Sequence, residues 1–304
     1  MIAYVVIATR GRPSEVKALI RSLINQTVPP SLVLISCVDE EDCEIPAEIS
    51  GYFSNRFKTL YSEKSGLTVQ RNLALDFLKR NELLREDSSY VVFLDDDFRP
   101  ASDWLECAGM VFQSHPEVVG ITGRVLADGV KGDPIDEATA AQFLAGQNEP
   151  TSHWASGMEI RDLDCVYGCN MAWRSSVAST LRFDEKLPAY GWQEDRDYTG
   201  RALKLGRVIY VPGCKGVHLG ARNGRSSGLR LGYSQIINPI YLCMKGSVRA
   251  NSVIYLVGRS FLSNLSKSFR AQGSVDYRGR FRGNILAILH LLTGRIEPWH
   301  IDKI

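Results

Sequence analysis

The run Tyr90-Val91-Val92-Phe93-Leu94-Asp95-Asp96-Asp97 limits what this chain can fold into more than any other stretch. Its first five residues are aromatic, β-branched or aliphatic, so they predict a buried strand whose apolar run stops where the carboxylates begin. Three acids therefore stand at the C-terminal end of a strand. In an open, mostly parallel α/β sheet, ligands bind in the crevice outside the strand ends, because the crossover helices leave that edge uncovered. Adjacent like charges repel, and a hard divalent cation held through oxygen, with a phosphate on its far side, relieves the repulsion. Taken alone, the triplet also reads as a solvated acidic turn before Pro100.

The neighbouring segments supply the rest of a sheet. Ile2 to Ala8 is a continuous apolar strand ended by Thr9-Arg10-Gly11-Arg12-Pro13, and Pro13-Ser14-Glu15 opens a helix with Val16, Leu19, Ile20, Leu23 and Ile24 at helical spacing. Leu32 to Val38 is a second strand with Asp39-Glu40-Glu41-Asp42 at its end, and Phe57 to Tyr61 a third. A helix from Gly66 to Arg80 carries Gln70-Arg71-Asn72 near its start. Strand, helix, strand, strand, helix, strand at these spacings predicts a doubly wound domain with right-handed crossovers. Beyond Asp97 the pattern gives a helix over 103–113 and a strand from Val118 to Val125. Residues 127–164, polar and containing His153-Trp154, read as a binding loop or a surface excursion. Order resumes at Val166-Tyr167-Gly168-Cys169-Asn170-Met171-Ala172-Trp173-Arg174. Gly191-Trp192-Gln193-Glu194-Asp195-Arg196-Asp197 then leads into a helix through Leu205, followed by a strand from Val208 to Val211 and, seven residues on, His218.

Several classes are disfavoured. No G-x-G-x-x-G follows the first strand, which argues against a nicotinamide enzyme, and a haloacid-type phosphatase would carry its acidic pair on that first strand. No apolar run approaches the 18 or so residues of a transmembrane helix, and Met1-Ile2-Ala3-Tyr4-Val5-Val6-Ile7 lacks the basic leader of a signal peptide. The seven cysteines are scattered without a CxxC pair, so they are expected as thiols in a reducing cytoplasm.

An apolar first strand with Thr9 and Arg12-Pro13 at its end, Asp39 ending the second strand, Gly66 with Arg71-Asn72, Asp95-Asp96-Asp97, the 168–174 segment, Glu194-Asp195 opening a helix and a later His218 together resemble a family 2 glycosyltransferase of the GT-A fold. The resemblance covers about residues 1–220. It implies an α/β chain with a GT-A type, doubly wound nucleotide-binding sheet, and an inverting, metal-dependent, hexosyltransferase-like reaction using Mn²⁺ or Mg²⁺ and a UDP, GDP or dTDP sugar. Asp97 and His218 are then metal ligands, and Asp95, with Asp96 beside it, faces the nucleotide's ribose. Thr9, Arg12 and Asn72 contact the nucleotide, Asp39 recognises the base, and Arg71 offers paired donors to the diphosphate. Asp195 is the general base, next to Glu194. Asp39-Glu40-Glu41-Asp42 departs from the family's usual two acids followed by Gly and Ser, which leaves the base open. Each assignment has a plainer counterpart: a structural histidine at His218, helix-opening acids at Glu194 and Asp195, a surface arginine at Arg71. Trp192 either stacks on an acceptor sugar or packs in the core.

Charge divides the chain unevenly. Residues 1–200 carry 19 Lys and Arg against 31 Asp and Glu, whereas residues 201–304 carry 17 against 3. Such a basic C-terminal third suits an anionic surface. Within it, Val253, Ile254, Val257, Phe261, Leu265 and Phe269 lie near one face of a helix from Ala250 to Arg270, with Arg259, Lys267 and Arg270 interspersed. A second short helix from Asn284 to Leu292 follows Arg278, Arg280 and Arg282. Helices of this type lie on membranes or pack on their own protein. The expected organisation is a catalytic domain over 1–224 and a basic helical extension over 225–304. The expected partners are a nucleotide-sugar donor and a glycan or lipid-linked acceptor of polysaccharide or glycoconjugate assembly, with an anionic membrane surface at the inner face of the plasma membrane and no nucleic acid. A nucleotidyltransferase of related fold, or a non-catalytic sugar- or nucleotide-binding module, is the alternative.

Overall fold

The computed structural model of the chain describes residues 1–44, 49, 51–52, 56–85, 88–130, 132–188, 190–223, 227–269 and 275–303. The chain forms two compact units. One comprises Met1–Ser65, Val69–Arg182 and Arg201–Gly224, the other Gly66–Thr68, Phe183–Gly200 and Arg225–Ile304. The boundary expected from sequence at 224/225 lies outside the described residues, as does Arg270.

The first unit is built on β1 (Ile2–Ala8), α1 (Pro13–Ile24), β2 (Leu32–Cys37), β3 (Phe57–Tyr61), α2 (Leu67–Arg80, after its first residues), β4 (Ser89–Asp95), β5 (Phe98–Pro100), α3 (Trp104–Ser114), β6 (Val118–Asp128), α4 (Glu137–Leu144), β7 (Arg161–Asp162), β8 (Asn170–Arg174), α5 (Ser175–Thr180) and β9 (Arg207–His218). The strands form one nine-stranded sheet in the order β3-β2-β1-β4-β8-β6-β9-β5, with β7 paired to β9. The first four strands run parallel; β1, β2 and β4 have the continuous apolar sequence of strands covered on both faces, β3 at the edge does not, and β8 pairs antiparallel with both β4 and β6. Val5, Ile7, Val33, Ile35, Val92 and Leu94 share a core with Val16, Leu19, Ile20 and Leu23 of α1, all essentially without exposure. Register places Ala8 opposite Asp95, which sets Thr9 beside the acids that follow.

Three expectations change. The last strand does not stop at Val211: β9 continues through Pro212 and Gly213 to His218, carried by register shifts against β6. Gly216 is required there, because a Cβ would lie 2.1 Å from the Phe98 ring. Residues 127–164 are not wholly irregular, since Asp136 caps α4 by accepting a hydrogen bond from the Thr139 N–H, and β7 adds to the sheet. Cys37 and Cys43 are joined in a disulfide, not held as thiols, because a 3-10 turn over Glu40–Cys43 folds the chain back and brings their Cα atoms to 6.4 Å.

The second unit holds the start of α6 (Glu194–Ala202) together with α7 (Gly228–Lys245), α8 (Ala250–Ser268), α9 (Tyr277–Leu292) and a 3-10 turn over Pro298–Lys303. Tyr233, Ile236 and Ile237 of α7 pack with Ala287 of α9, Ile301, and Val257 and Phe261 of α8. Glycine lets α7 and α9 approach closely: a Cβ on Gly232 would meet the Arg280 carbonyl oxygen at 1.9 Å, and one on Gly283 the Leu229 oxygen at 2.1 Å. Buried Asn264 donates to Gln235 Oε1 at 2.7 Å and to Asn284 Oδ1 at 2.9 Å, so the polar groups in this core are paired with one another. Among the described residues, no helix is long and apolar enough to cross a membrane.

Candidate active site

β4 delivers Asp95 to the sheet edge, and the turn before β5 sends the next two acids in different directions. Asp96 turns toward the loop after β1. Its Oδ2 accepts from the Thr9 hydroxyl and its Oδ1 from the Arg12 guanidinium, each at 2.7 Å. Burial pushes its carboxyl up to about 7, against the opposing charge of Arg12. Asp97 turns toward the end of β9. Its Oδ1 lies 3.2 Å from His218 Nε2, and its Oδ2 accepts the Ala221 N–H at 2.8 Å. Burial alone would raise Asp97, but His218, Arg12 and that amide outweigh it and hold the carboxyl below the usual range.

Asp95 is raised by burial and offset by Arg71, which donates to its Oδ1 at 2.9 Å. The Arg71 side chain is only 2% exposed, and the same nitrogen also donates to the Gly168 carbonyl at 2.9 Å. The plainer reading of Arg71 as a surface arginine does not hold, because the guanidinium is buried and engaged with the acid turn. Asp95, Asp97 and His218 each present one ligand atom, all within 4.8 Å of one another. Two hard carboxylate oxygens and an imidazole are a donor set that can hold a divalent metal ion. His218 itself is driven well above its ordinary range: burial lowers it, but Cys169, Asp97 and Tyr167 face it and Asp128 hydrogen-bonds to it.

The loop after β1 is fixed on several sides. Gln70 donates to the Thr9 and Ser36 carbonyls at 2.7 Å each, tying the ends of β1 and β2 together. Arg12 also reaches the Asn223 carbonyl at 2.6 Å and Ala221 at 3.2 Å, so one guanidinium joins the β1 loop, the acid turn and the segment after His218. Asp39 opens the 3-10 turn with an exposed side chain, while buried Asp42 accepts the Gly11 N–H. Asn72 is buried in α2.

In the second unit, Gln193 takes a left-handed φ of 73° just before α6, a conformation costly for a residue with a Cβ. Glu194 and Asp197 are buried, and Asp197 pairs with Lys245 at 3.0 Å. Asp195 is only partly buried, and its Oδ1 accepts the Arg196 N–H at 2.8 Å. Trp192, partly exposed, gives its carbonyl to Asn238 Nδ2 at 2.9 Å and lines a small pocket with Tyr190, Arg230 and Ser234.

The family described as Glycosyl transferase family 2 matches residues 4–159, just over half of the sequence, including the first two strands and the acid turn. The chain belongs to glycosyl transferase family 2. It is a glycosyltransferase, and the family takes its sugars from nucleotide-sugar donors. No curated protein matches the chain by sequence. Among solved structures, S. aureus TarS 1–349 in complex with UDP-GlcNAc has a TM-score of 0.57 at 15% identity, the match covering 100% of this chain and 83% of that one. The mannosyltransferase PcManGT from Pyrobaculum calidifontis, in complex with GDP-Man and Mn²⁺, has a TM-score of 0.50 at 13% identity over 99% and 84%. A longer S. aureus TarS chain has a TM-score of 0.50 at 16% identity, and the match spans only 40% of its length. At these identities the likeness is one of fold: a mixed α/β sheet of the GT-A kind.

Sequence missed Asp128, Tyr167 and His153, which surround the far side of His218. Asp128 stands alone among polar residues at the end of β6, and no spacing signals it. Asp42 was in view as the last of four acids, but its burial was not.

Proposed function

We propose that this glycosyltransferase is an inverting, Mn²⁺- or Mg²⁺-dependent enzyme that moves a sugar from a nucleoside diphosphate to an acceptor hydroxyl. The convergence of Asp95, Asp97 and His218 on one another carries this reading. A cation bound there would offset the negative charge that develops on the leaving diphosphate. Asp97 and His218 are the principal ligands, Asp95 completes the set and faces the ribose, and Arg71 holds Asp95 in place. Asp96, clamped by Thr9 and Arg12, keeps the turn in shape instead of touching the donor. Asp39, exposed at the end of β2, is available to accept a ring N–H of the base.

Asp195 is the general base, its charge supported by the N-terminal end of α6, and Glu194 shapes the start of that helix. The acceptor oxygen attacks the anomeric carbon from the face opposite the diphosphate and gives its proton to Asp195. The bond from that carbon to the diphosphate oxygen breaks, the electron pair leaves with the nucleoside diphosphate, and configuration inverts. Trp192 offers an aromatic surface to the acceptor.

The acceptor is a glycan or lipid-linked glycan of polysaccharide or glycoconjugate assembly, and the basic second unit docks at an anionic membrane surface. What supports this reading is the outward face of α8. Val253, Val257 and Phe261 pack inward, while Ile254, Tyr255, Leu262 and Phe269 are 63–78% exposed along one outward arc beside Arg259. Thermal-shift titration with Mn²⁺ and UDP, GDP or dTDP tests the donor reading. Stabilisation that needs both the cation and one nucleotide supports it, and none with any pair contradicts it.

A further inference from the structure

His218 is gripped on the side away from the acid turn. Asp128, the last residue of β6, sets its Oδ1 3.2 Å from His218 Nδ1 and accepts the Val130 N–H on that same oxygen at 2.9 Å. Its Oδ2 accepts the Tyr167 hydroxyl at 2.9 Å and lies 3.2 Å from His153 Nε2. The Ala155 N–H donates to His153 Nδ1 at 3.0 Å, so the ring hydrogen of neutral His153 sits on Nε2 and points at Asp128. All of this is enclosed: the side chains of Asp128, His153 and His218 are 10%, 6% and 4% exposed.

A carboxylate surrounded by donors acts only as an acceptor. Nδ1 of His218 must therefore carry hydrogen. By the same rule Nε2, 3.2 Å from Asp97 Oδ1, carries one too while no cation is bound, and it is this second hydrogen that a cation beside Asp97 would replace, leaving the Nε2 lone pair to the metal. Tyr167 agrees with this arrangement. Its hydroxyl gives its hydrogen to Asp128 and leaves an oxygen 3.2 Å from His218 Nδ1 to accept, while its ring meets the imidazole edge-on at 5.6 Å.

We propose that Asp128 is the positioning residue of the metal site, fixing His218 in the Nδ1–H form so that Nε2 is presented to a divalent cation beside Asp95 and Asp97. The inference rests on the metal reading given above. It also explains the buried His153, which through Asp128 fastens the stretch between β6 and β7 to a metal ligand. A carboxylate behind a metal-binding imidazole fixes its orientation and raises its basicity, and losing one typically weakens metal binding by about 10- to 100-fold. Asn at 128 is nearly isosteric but brings an NH₂ group. Turned toward Nδ1, that group favours the other tautomer, which points a hydrogen at the cation.

The test is Mn²⁺ binding to the full chain, with and without UDP, followed by electron paramagnetic resonance, with ¹⁴N modulation reporting imidazole coordination. Asp128→Asn should raise the Mn²⁺ dissociation constant by about 10- to 100-fold and weaken the nitrogen modulation, while the folded variant, once saturated with Mn²⁺, keeps wild-type nucleotide specificity. Should that variant not fold, Tyr167→Phe and His153→Gln each perturb one donor to the same carboxylate, and at least one should weaken Mn²⁺ binding by about threefold or more. Wild-type Mn²⁺ affinity and nitrogen modulation in Asp128→Asn, or in both replacements, overturns the proposal. Wild-type protein that binds no Mn²⁺ removes the metal reading itself, a result distinct from wild type and variant binding alike.

Discussion

Asp95 and Arg71 form a pair whose halves depend on each other, for neither the carboxylate nor the guanidinium has enough water around it to stand alone. Removing the cation leaves a buried acid uncompensated, so Arg71→Met is expected to destabilise the protein by about 3 kcal/mol or more in urea unfolding. Asp184 of the second unit offers a pH-dependent case away from the proposed metal ligands. Burial raises its carboxyl, but the Lys245 ammonium at 2.6 Å, the Lys186 N–H and the Tyr241 hydroxyl together hold it below the usual range. A carboxyl lowered on folding contributes stability above its unfolded value, near about 4, and loses it as pH falls through the folded value. Asp184→Asn should therefore cost about 2 kcal/mol near neutral pH, with the difference from wild type shrinking steadily below about pH 4; a difference independent of pH contradicts the pairing. Asp97 stood out in sequence because its acid triplet ends an apolar run, whereas His218, seven residues past the strand that sequence could see, was reached only through the family resemblance. The burial of Arg71 was not legible, because nothing in Gln70-Arg71-Asn72 tells a buried arginine from an exposed one.

At the scale of elements, β1, β2 and β4 could be read directly, since a strand covered on both faces is a continuous apolar run. β9 was cut short by Pro212 and Gly213, which break a strand in general but are absorbed here by bulges against β6. α7 was missed for a similar reason: Pro239 and two early glycines look like breakers, whereas Gly232 is what allows α9 to pack closely. In α8 the apolar residues were seen but split wrongly between faces, because the helix carries an inward stripe and an outward one. The outward arc makes a specific prediction. Replacing Ile254, Leu262 and Phe269 with Ser should abolish most co-sedimentation with vesicles rich in anionic lipid, and binding of the unchanged protein should fall as salt rises. Equal partitioning of both proteins, or none by either, counts against membrane docking; concentration-dependent dimerisation lost in the variant would instead assign the arc to a second copy of the chain.

Across the whole molecule, the proposed binding and proton-transfer roles fall to different residues: the acid turn and His218 for the cation and nucleotide, Asp195 for the proton. Ground-state binding and proton transfer should therefore fail independently. The decisive measurement is calorimetric titration of UDP and GDP in Mn²⁺, paired with turnover, on wild type, Asp97→Asn and Asp195→Asn. Asp97→Asn is expected to lose metal-dependent nucleotide binding by about 10-fold or more. Asp195→Asn should bind within about twofold of wild type while turnover falls by about 10²-fold or more, as loss of a general base does. Wild-type turnover in Asp195→Asn, or nucleotide binding untouched in Asp97→Asn, would contradict the account.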